Sequence, residues 1–310
     1  MEKIDWDNLG FNVVETHSMY KASCRIGEEW KLGGLIPYGT IELSPAAGVL
    51  NYGQGCFEGT KAYRTVKDRV VLFRPEMNAK RMALSTKRLC IPEMNQEFFL
   101  NAVEETLKDN IDYVPPYGKG SLYIRPIVWG TSPALGVKPV EVYTFMVFVS
   151  PVGPYFKGDI QPLNLKVSNK YHRAAPKGIG NAKAIGNYSA SLLPLIEAKN
   201  SGFDEVIYLN AKDEEFVEEV GSANLFVLTG NTIKTPKLDG SILPGITRDS
   251  VITLAKDTIG LEVLETNVTL TELYDADEVF CTGTAVVVTP VGSITGLDGK
   301  HKIADGKMGQ

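Results

Sequence analysis

A lysine between small residues is the first candidate for chemistry in this sequence. Lys183 stands in the glycine- and alanine-rich segment 178–188, GIGNAKAIGNY. Such a lysine is ordinarily a solvated surface residue. Small neighbours, however, could hold the amine partly desolvated, which lowers its pKa and prepares it to attack a carbonyl carbon. The segment is not a dinucleotide-binding fingerprint, because Lys183 takes the place of the third glycine.

A second segment has the features of a phosphate site. The residues 243–245, LPG, indicate a turn that begins a helix, which is the ordinary role of Pro-Gly at such a place. The backbone N–H groups of Ile246 and Thr247 could also bind a phosphate, together with the helix dipole and the Thr247 hydroxyl. Arg81, otherwise a residue on the polar face of a helix, could add a guanidinium.

Three further segments are weak alone and informative in combination. Glu219 belongs to the run 218–224, EEVGSAN, and could pair with a protonated ring nitrogen if it points inward. Tyr123 and Arg125 share one face of a predicted strand, because side chains alternate along a strand. The segment 283–285, GTA, predicts a turn with closely approachable backbone donors.

The elements that must position these residues follow from clusters of β-branched and aromatic residues and from proline, glycine and N-cap positions. The predicted strands are 70–73, 121–129, 142–149, 163–167, 205–209, 224–228 and 278–281. The predicted helices are 75–89, 96–108, 187–200 with Asn187 as its N-cap, and 245–256. Many short strands with few helices indicate an α+β protein of two domains, not a doubly wound sheet.

The length of 310 residues also suits two domains. Pro and Gly are frequent in the stretch that follows the strand 142–149, and both residues interrupt regular structure. We therefore predict a smaller N-terminal α+β domain over 1–150, an interdomain linker over 151–162 and a larger C-terminal domain over 163–310.

Composition excludes several classes of function. The net charge is −5 and there is no basic stripe, so no nucleic-acid partner is expected. No apolar run is long enough to span a membrane. The three histidines and four cysteines are scattered, so no metal site is expected. Scattered cysteines suit reduced thiols in the cytoplasm, with an organelle as the alternative if a leader has been removed.

Together these segments resemble the branched-chain aminotransferases, which are pyridoxal-phosphate (PLP) enzymes of fold type IV. The similarity extends from the block 52–63, YGQGCFEGTKAY, to the turn 283–285. The segments 73–81 (FRPEMNAKR), 122–126 (LYIRP) and 219–224 (EVGSAN) are specific in combination. The resemblance implies PLP as the cofactor, a homodimer, and two α/β domains of the D-amino-acid-aminotransferase-like architecture, the second of them binding PLP.

The resemblance also implies a role for each candidate residue. Lys183 would carry PLP covalently and move the α-proton, Tyr188 would bond the phenolic oxygen, and Glu219 would keep the ring nitrogen protonated. The phosphate would be bound by Arg81, Ile246, Thr247 and Thr284. The substrate would be bound by Phe57, Tyr123, Arg125, Tyr155, Thr284 and Ala285, and by Tyr52, Leu135 and Val137 of the partner subunit. The linker and the loop 171–181 would be mobile elements over the site.

The implied reaction transfers the amino group of leucine, isoleucine or valine to 2-oxoglutarate. A D-amino-acid aminotransferase, an aminodeoxychorismate lyase and an inactive PLP-binding homologue are the alternatives. The sequence departs from the family in two places. Mammalian relatives carry a redox CxxC soon after the turn 283–285, where this chain has VVVT, so thiol gating is not expected. Relatives also continue into a terminal helix, which we expect the second domain to lack.

Overall fold

The structure, a computed structural model, describes residues 4–153 and 161–308. The chain forms two compact units. The first contains the described residues up to 153 together with Ala182–Ile185, and the second contains the remaining described residues from 161 onward. Each unit mixes helices with a sheet, which confirms the α+β prediction. The expected domain limits stay a prediction, and residues 154–160 of the predicted linker, including Tyr155, lie outside the described residues.

The first unit is built on an antiparallel sheet in which seven strands are described, in the order β2-β1-β7-β6-β4-β5, with β3 also paired to β6. Its strands are β1 Ser18–Arg25, β2 Gly34–Pro37, β3 Gly55–Phe57, β4 Thr60–Arg64, β5 Val70–Leu72, β6 Ser121–Gly130 and β7 Val142–Val152. Its helices are α1 Gly48–Tyr52, α2 Pro75–Arg88 and α3 Gln96–Asp109, followed by the 3₁₀ turn Ile111–Tyr113.

Two long helices pack with the sheet to form the core of this unit. α2 begins at Pro75, as predicted, because proline lacks only an N–H that the first turn leaves unbonded. α3 is capped by Asn95, whose side chain accepts the Phe98 N–H at 2.8 Å. The largest fully buried side chains of this unit are Tyr20, Tyr143, Phe99, Phe145, Met82, Met94, Leu122 and Ile124.

A break between β3 and β4 matters for the site. Both strands pair with β6, and Glu58 and Gly59 lie between them, at the interruption. The Glu58 N–H still donates to the Pro126 carbonyl at 2.7 Å, so the backbone stays fixed to the sheet. An interruption of this kind can aim a side chain differently from the regular alternation.

The second unit contains a mixed sheet in which nine strands are described, in the order β10-β9-β8-β15-β14-β11-β12-β13, with β16 paired to β15. Its strands are β8 Leu163–Val167, β9 Glu205–Leu209, β10 Val217–Val220, β11 Asn224–Thr229, β12 Thr232–Pro236, β13 Glu262–Thr266, β14 Glu278–Gly283, β15 Val287–Gly296 and β16 Gly299–Lys302. The remaining helices are α4 Ile185–Ser189, α5 Leu192–Asn200, α6 Ile246–Leu254 with the π-helical turn Ala255–Ile259, and α7 Leu270–Tyr274.

The prediction of one helix over 187–200 was wrong. Two helices, α4 and α5, occupy this region, and Asn187 lies inside α4 instead of capping it. Its Nδ2 donates to the Ile179 carbonyl at 2.8 Å, so the side chain bonds the preceding loop in place of a helix end. Within 4–153 and 161–308, no helix is both long and apolar enough to cross a membrane.

Candidate active site

Lys183 is fixed to β3 and to α2 of the first unit by its own backbone. The Lys183 N–H donates to Ser85 Oγ at 2.9 Å, and its carbonyl accepts the Phe57 N–H at 3.1 Å. The flanking residues Ala182 and Ala184 are buried, with 3% and 1% exposure. Small residues are therefore needed on both sides of the lysine, as the sequence suggested, because the segment packs closely against β3 and α2.

The Lys183 amine lies in a partly desolvated setting. Its Nζ is 4.8 Å from the centroid of the Phe57 ring. Burial, the largest cause, and the positive charge of Arg81 lower the pKa of Lys183 to about 8, while the Glu58 carboxylate acts in the opposite direction. About half of the lysine is thus neutral and nucleophilic at pH 8. The side chain is half-buried, so a ligand can still reach it.

Arg81 is buried and is not a residue of a polar helix face. Its Nε and Nη2 donate to the two oxygens of Glu58 at 2.7 and 2.9 Å. Asn78, one turn earlier on α2, donates to the same carboxylate at 2.7 Å. Glu58 belongs to the block 52–63, but its residue type and position alone indicated no role.

Tyr123 and Arg125 form a second group on the same sheet, on the shared face that alternation predicted. Arg125 Nη2 donates to the Tyr123 hydroxyl at 3.0 Å, and its guanidinium carbon lies 4.6 Å from the centroid of the Phe57 ring. Gly59 makes room for this arrangement, because a Cβ there would lie 2.1 Å from the Tyr123 hydroxyl. The structure thus brings Phe57, Tyr123 and Arg125 together with Lys183.

The residues expected to serve a partner subunit lie on the surface of this unit. Leu135 and Val137 are 89% and 88% exposed, and Tyr52 is half-exposed. The Tyr52 hydroxyl donates to the Leu135 carbonyl, so these two expected residues also lie together. Large apolar side chains with such exposure are typical of surfaces that another molecule covers.

Glu219 points inward, which the sequence left conditional. It lies on β10 with 1% exposure, and its Oε2 is 2.7 Å from Arg173 Nη1. The Leu243 N–H donates to Oε2 at 3.2 Å, and Asn224 Nδ2 donates to Oε1 at 3.3 Å. Arg173 lies in the loop 171–181 and was not singled out by the sequence, although a buried carboxylate requires such a cation.

The segment with the features of a phosphate site begins a helix, as predicted. α6 starts at Ile246 with Gly245 as its N-cap, so the N–H groups of Ile246 and Thr247 belong to its first turn. Glycine is required at the cap, because a Cβ there would lie 1.9 Å from Asn224 Oδ1. The remaining expected residues of this unit, Tyr188, Thr284 and Ala285, are half-buried.

Lys61 is a further buried amine that sequence reasoning missed. It lies on β4 opposite Tyr123 with 6% exposure, and burial lowers its pKa to about 8. The only signal in the sequence was its place in the quoted block 52–63. Two lysines of the first unit therefore have similar pKa values, and they differ in residue exposure, because Lys61 is buried whereas Lys183 is half-buried.

The chain matches a family model and known proteins over most of its length. The model described as amino-transferase class IV matches residues 55–294. A relative from Humulus lupulus, called branched-chain amino acid aminotransferase 2, chloroplastic, is 53% identical over 292 residues, which are 94% of this chain and 71% of the relative.

Solved structures agree with this match. The branched-chain amino acid aminotransferase of Escherichia coli superposes with a TM-score of 0.81 at 30% identity, covering 96% of this chain and 91% of that one. The enzyme of the same name from Thermobaculum terrenum, solved in its PLP form, gives 0.79 at 27% identity, covering 94% of this chain and 89% of that one.

Proposed function

The chain belongs to the class IV aminotransferase family, and we propose that it is a PLP-dependent transaminase of branched-chain amino acids. It transfers the amino group of leucine, isoleucine or valine to 2-oxoglutarate, giving branched-chain 2-oxo acids and glutamate. The observation that carries this proposal is the cluster of Lys183 with Phe57, Tyr123 and Arg125 in a chain that is 53% identical to a branched-chain aminotransferase over 94% of its length. The matches do not favour the D-amino-acid aminotransferase, the lyase or an inactive homologue.

The chemistry of the donor groups fits PLP. When bound, PLP supplies an aldehyde carbon for amines and an electron-accepting ring that makes the substrate's α-proton acidic. A lysine with a lowered pKa suits the aldehyde, and a buried carboxylate such as Glu219 suits a protonated ring nitrogen. A guanidinium, hydroxyls and helix N–H groups suit a phosphate.

Each expected residue has a task in this proposal, and Lys183 and Thr284 have two. With PLP bound, Lys183 would hold it through the aldehyde carbon and would carry the proton that leaves the substrate Cα. Glu219 keeps the ring nitrogen protonated, and Tyr188 bonds the phenolic oxygen. The phosphate is bound by Arg81, the backbone of Ile246, the backbone and hydroxyl of Thr247, and the hydroxyl of Thr284. Tyr123 and the Thr284 and Ala285 amides bind the substrate α-carboxylate, and Phe57 and Tyr155 line the pocket for the apolar side chain.

A turnover assay tests the proposal. The purified chain with added PLP should convert L-leucine and 2-oxoglutarate to glutamate. Glutamate formation is measured directly, with L-isoleucine and L-valine as companion substrates. Turnover of D-alanine without turnover of L-leucine would assign the chain to the D-amino-acid enzymes. PLP binding without any turnover would favour the inactive homologue.

Arg125 should be needed more for glutamate than for leucine. One pocket must bind the apolar side chain of leucine and later the anionic side chain of glutamate. A charged donor at the rim of the pocket can bind the glutamate carboxylate without weakening the binding of the apolar side chain. Arg125 packs on Phe57 and bonds Tyr123, and it forms no ion pair with any described residue. Its Nε is buried without a partner among the described residues. A surface ion pair, which would contribute little to catalysis, therefore does not describe this arginine.

The test is Arg125→Met, with the two half-reactions measured separately under single-turnover conditions. We expect the loss in kcat/KM for glutamate and 2-oxoglutarate to exceed that for leucine by about 2–5 kcal/mol, as when one partner of a buried charge pair is truncated. Arg64→Met is the matched control, because Arg64 pairs with Asp68 on the surface of the same unit. Equal losses in kcat/KM for leucine and glutamate would mean that Arg125 supports the site in general and does not recognise the side-chain carboxylate of glutamate.

We also propose a homodimer in which Tyr52, Leu135 and Val137 contribute to the partner's substrate pocket. The exposure of Leu135 and Val137 supports this, because a partner would remove large apolar side chains from water. Sedimentation of the chain as a monomer at assay concentration would contradict it. For location, scattered cysteines favour the cytoplasm, while the chloroplastic relative favours an organelle.

A further inference from the structure

Glu58 is a fully buried carboxylate with no assigned task. Its side chain has 0% exposure and lies at the break between β3 and β4. Removing an ionised carboxylate from water is costly unless several donors replace the water. If the position had only a structural role, an apolar residue of similar volume could fill it at a smaller cost in free energy. The position therefore requires a reason to keep a negative charge.

The hydrogen-bond donors around Glu58 show which groups its negative charge faces. Arg81 donates from Nε to Oε1 and from Nη2 to Oε2, which is the bidentate geometry that fixes a guanidinium in both position and plane. Asn78 Nδ2 donates to Oε2 at 2.7 Å, and the Gly59 N–H donates to the same oxygen at 3.2 Å. Asn78 also donates to the Gly59 carbonyl at 3.1 Å, which ties α2 to the break.

Only a carboxylate can satisfy this set. All four groups aimed at Glu58 are donors, and a glutamine in its place would turn an NH₂ toward at least one of them. A glutamine would also remove the negative charge that faces the buried Arg81. The arrangement thus selects for the charge of Glu58 and not only for its shape.

Lys183 lies within the electrostatic reach of this pair. Among the described residues of the first unit, the ionisable groups that act on it include Glu58, Arg81, Tyr123 and Arg125. Arg81 and Arg125 disfavour the protonated amine, whereas the negative charge of Glu58 favours it. Without Glu58, the two guanidinium groups would act on the lysine without the opposing charge of this carboxylate.

We propose that Glu58 is a positioning residue of the active site, which holds the Arg81 guanidinium in a fixed plane and offsets its charge beside Lys183. The role rests on the proposed function only in that it takes Lys183 as the reacting amine. Glu58 itself touches Arg81 and Asn78 and acts on the reaction through them.

The test is a double-mutant cycle in which the measured quantity is the pKa of the Lys183 amine. The full chain is prepared without cofactor as wild type, Glu58→Gln, Arg81→Met and the double variant. Acetylation of Lys183 by acetic anhydride across a pH series, followed by mass spectrometry of its peptide, gives the pKa of the amine. This readout requires no transamination, so a chain without turnover would refute the proposed function and leave this inference testable.

The expected order of the Lys183 pKa is Arg81→Met highest, then wild type, then Glu58→Gln. Glu58→Gln should lower the value by about one unit, since an opposite charge is lost and Arg81 remains. The double variant should return close to wild type, because both charges are gone. It should also have a higher Tm than Glu58→Gln, in which the buried guanidinium has lost the carboxylate it faces.

Glu272→Gln is the matched control. Glu272 pairs with Lys234 at 2.7 Å and completes the capping box of α7, so its loss lowers Tm without touching this cluster. The Lys183 pKa should be unchanged in that variant. An unchanged or raised Lys183 pKa in Glu58→Gln would overturn the proposal. If Glu58→Gln does not fold, a value in Arg81→Met no higher than in the double variant would overturn it equally.

Discussion

Lys183→Ala should abolish both the covalent attachment of PLP and the transamination of leucine. The amine at this position is the group that we propose attacks the aldehyde carbon and later moves the α-proton. Loss of a positioned general base alone slows such a step by about 10²–10⁴-fold, and loss of covalent attachment adds to this. Borohydride reduction followed by mass spectrometry measures attachment, and a single-turnover experiment with leucine measures the proton transfer.

Lys61→Ala is the control that makes this result specific. Burial lowers the pKa of Lys61 to about 8, as it does for Lys183. The two differ in accessibility, because Lys61 is 6% exposed within β4 whereas Lys183 is half-buried. We expect Lys61→Ala to keep the borohydride-fixed PLP. A Lys183→Ala protein that still carries reduced PLP, with Lys61→Ala lacking it, would move the reacting amine to Lys61.

The pH dependence of attachment follows from the same pKa. The neutral amine is the nucleophile, so the rate at which PLP added to the cofactor-free chain becomes attached should rise with pH and level off above about pH 8. An ordinary lysine would show this rise near its usual pKa of about 10.4.

Local signals in the sequence predicted α2, β6 and α6, which carry Arg81, Tyr123 and Thr247, but not β3, β4 or β10, which carry Phe57, Lys61 and Glu219. Pro75 begins α2 because proline suits the first turn of a helix, and β-branched residues predicted β6, β8 and β9 within a residue or two. The prediction for Asn187 failed because its side chain bonds the Ile179 carbonyl in the loop that precedes α4. An N-cap residue predicts a helix start only when its own side chain has no better partner nearby.

The site itself could be predicted only as far as residue types allow. Lys183 and its small neighbours were visible in the sequence because close packing demands small side chains there. The buried charges were not visible. Glu58 depends on Arg81 and Asn78 from α2, and Glu219 depends on Arg173 from a remote loop. From the sequence alone a carboxylate is expected to be solvated, because the cation that pairs with it becomes known only from the fold.

Glu219→Gln should leave PLP binding intact and slow α-proton removal from leucine by about 10²–10³-fold, the range seen when one preorganised electrostatic group is lost. A carboxylate beside a ring nitrogen favours the protonated form, and that positive charge makes the α-proton acidic. Glutamine keeps the size of the side chain and an oxygen for the Leu243 N–H, but it removes the negative charge. The single-turnover rate with α-deuterated and ordinary leucine isolates this step.

Two further variants test whether the proton transfer requires the negative charge of Glu219 at its own position. Glu218→Gln changes the neighbouring buried glutamate of β10, whose carboxylate accepts from the Ser241 hydroxyl instead of from Arg173, so the leucine half-reaction should stay close to wild type. Glu219→Asp keeps the charge at a shorter reach and should recover part of the rate that Glu219→Gln loses. Because Arg173 is left buried without its partner in Glu219→Gln, a lower Tm is expected there. A fall in Tm with an unchanged isotope-sensitive rate would make Glu219 a structural partner of Arg173 and remove it from the proton-transfer step.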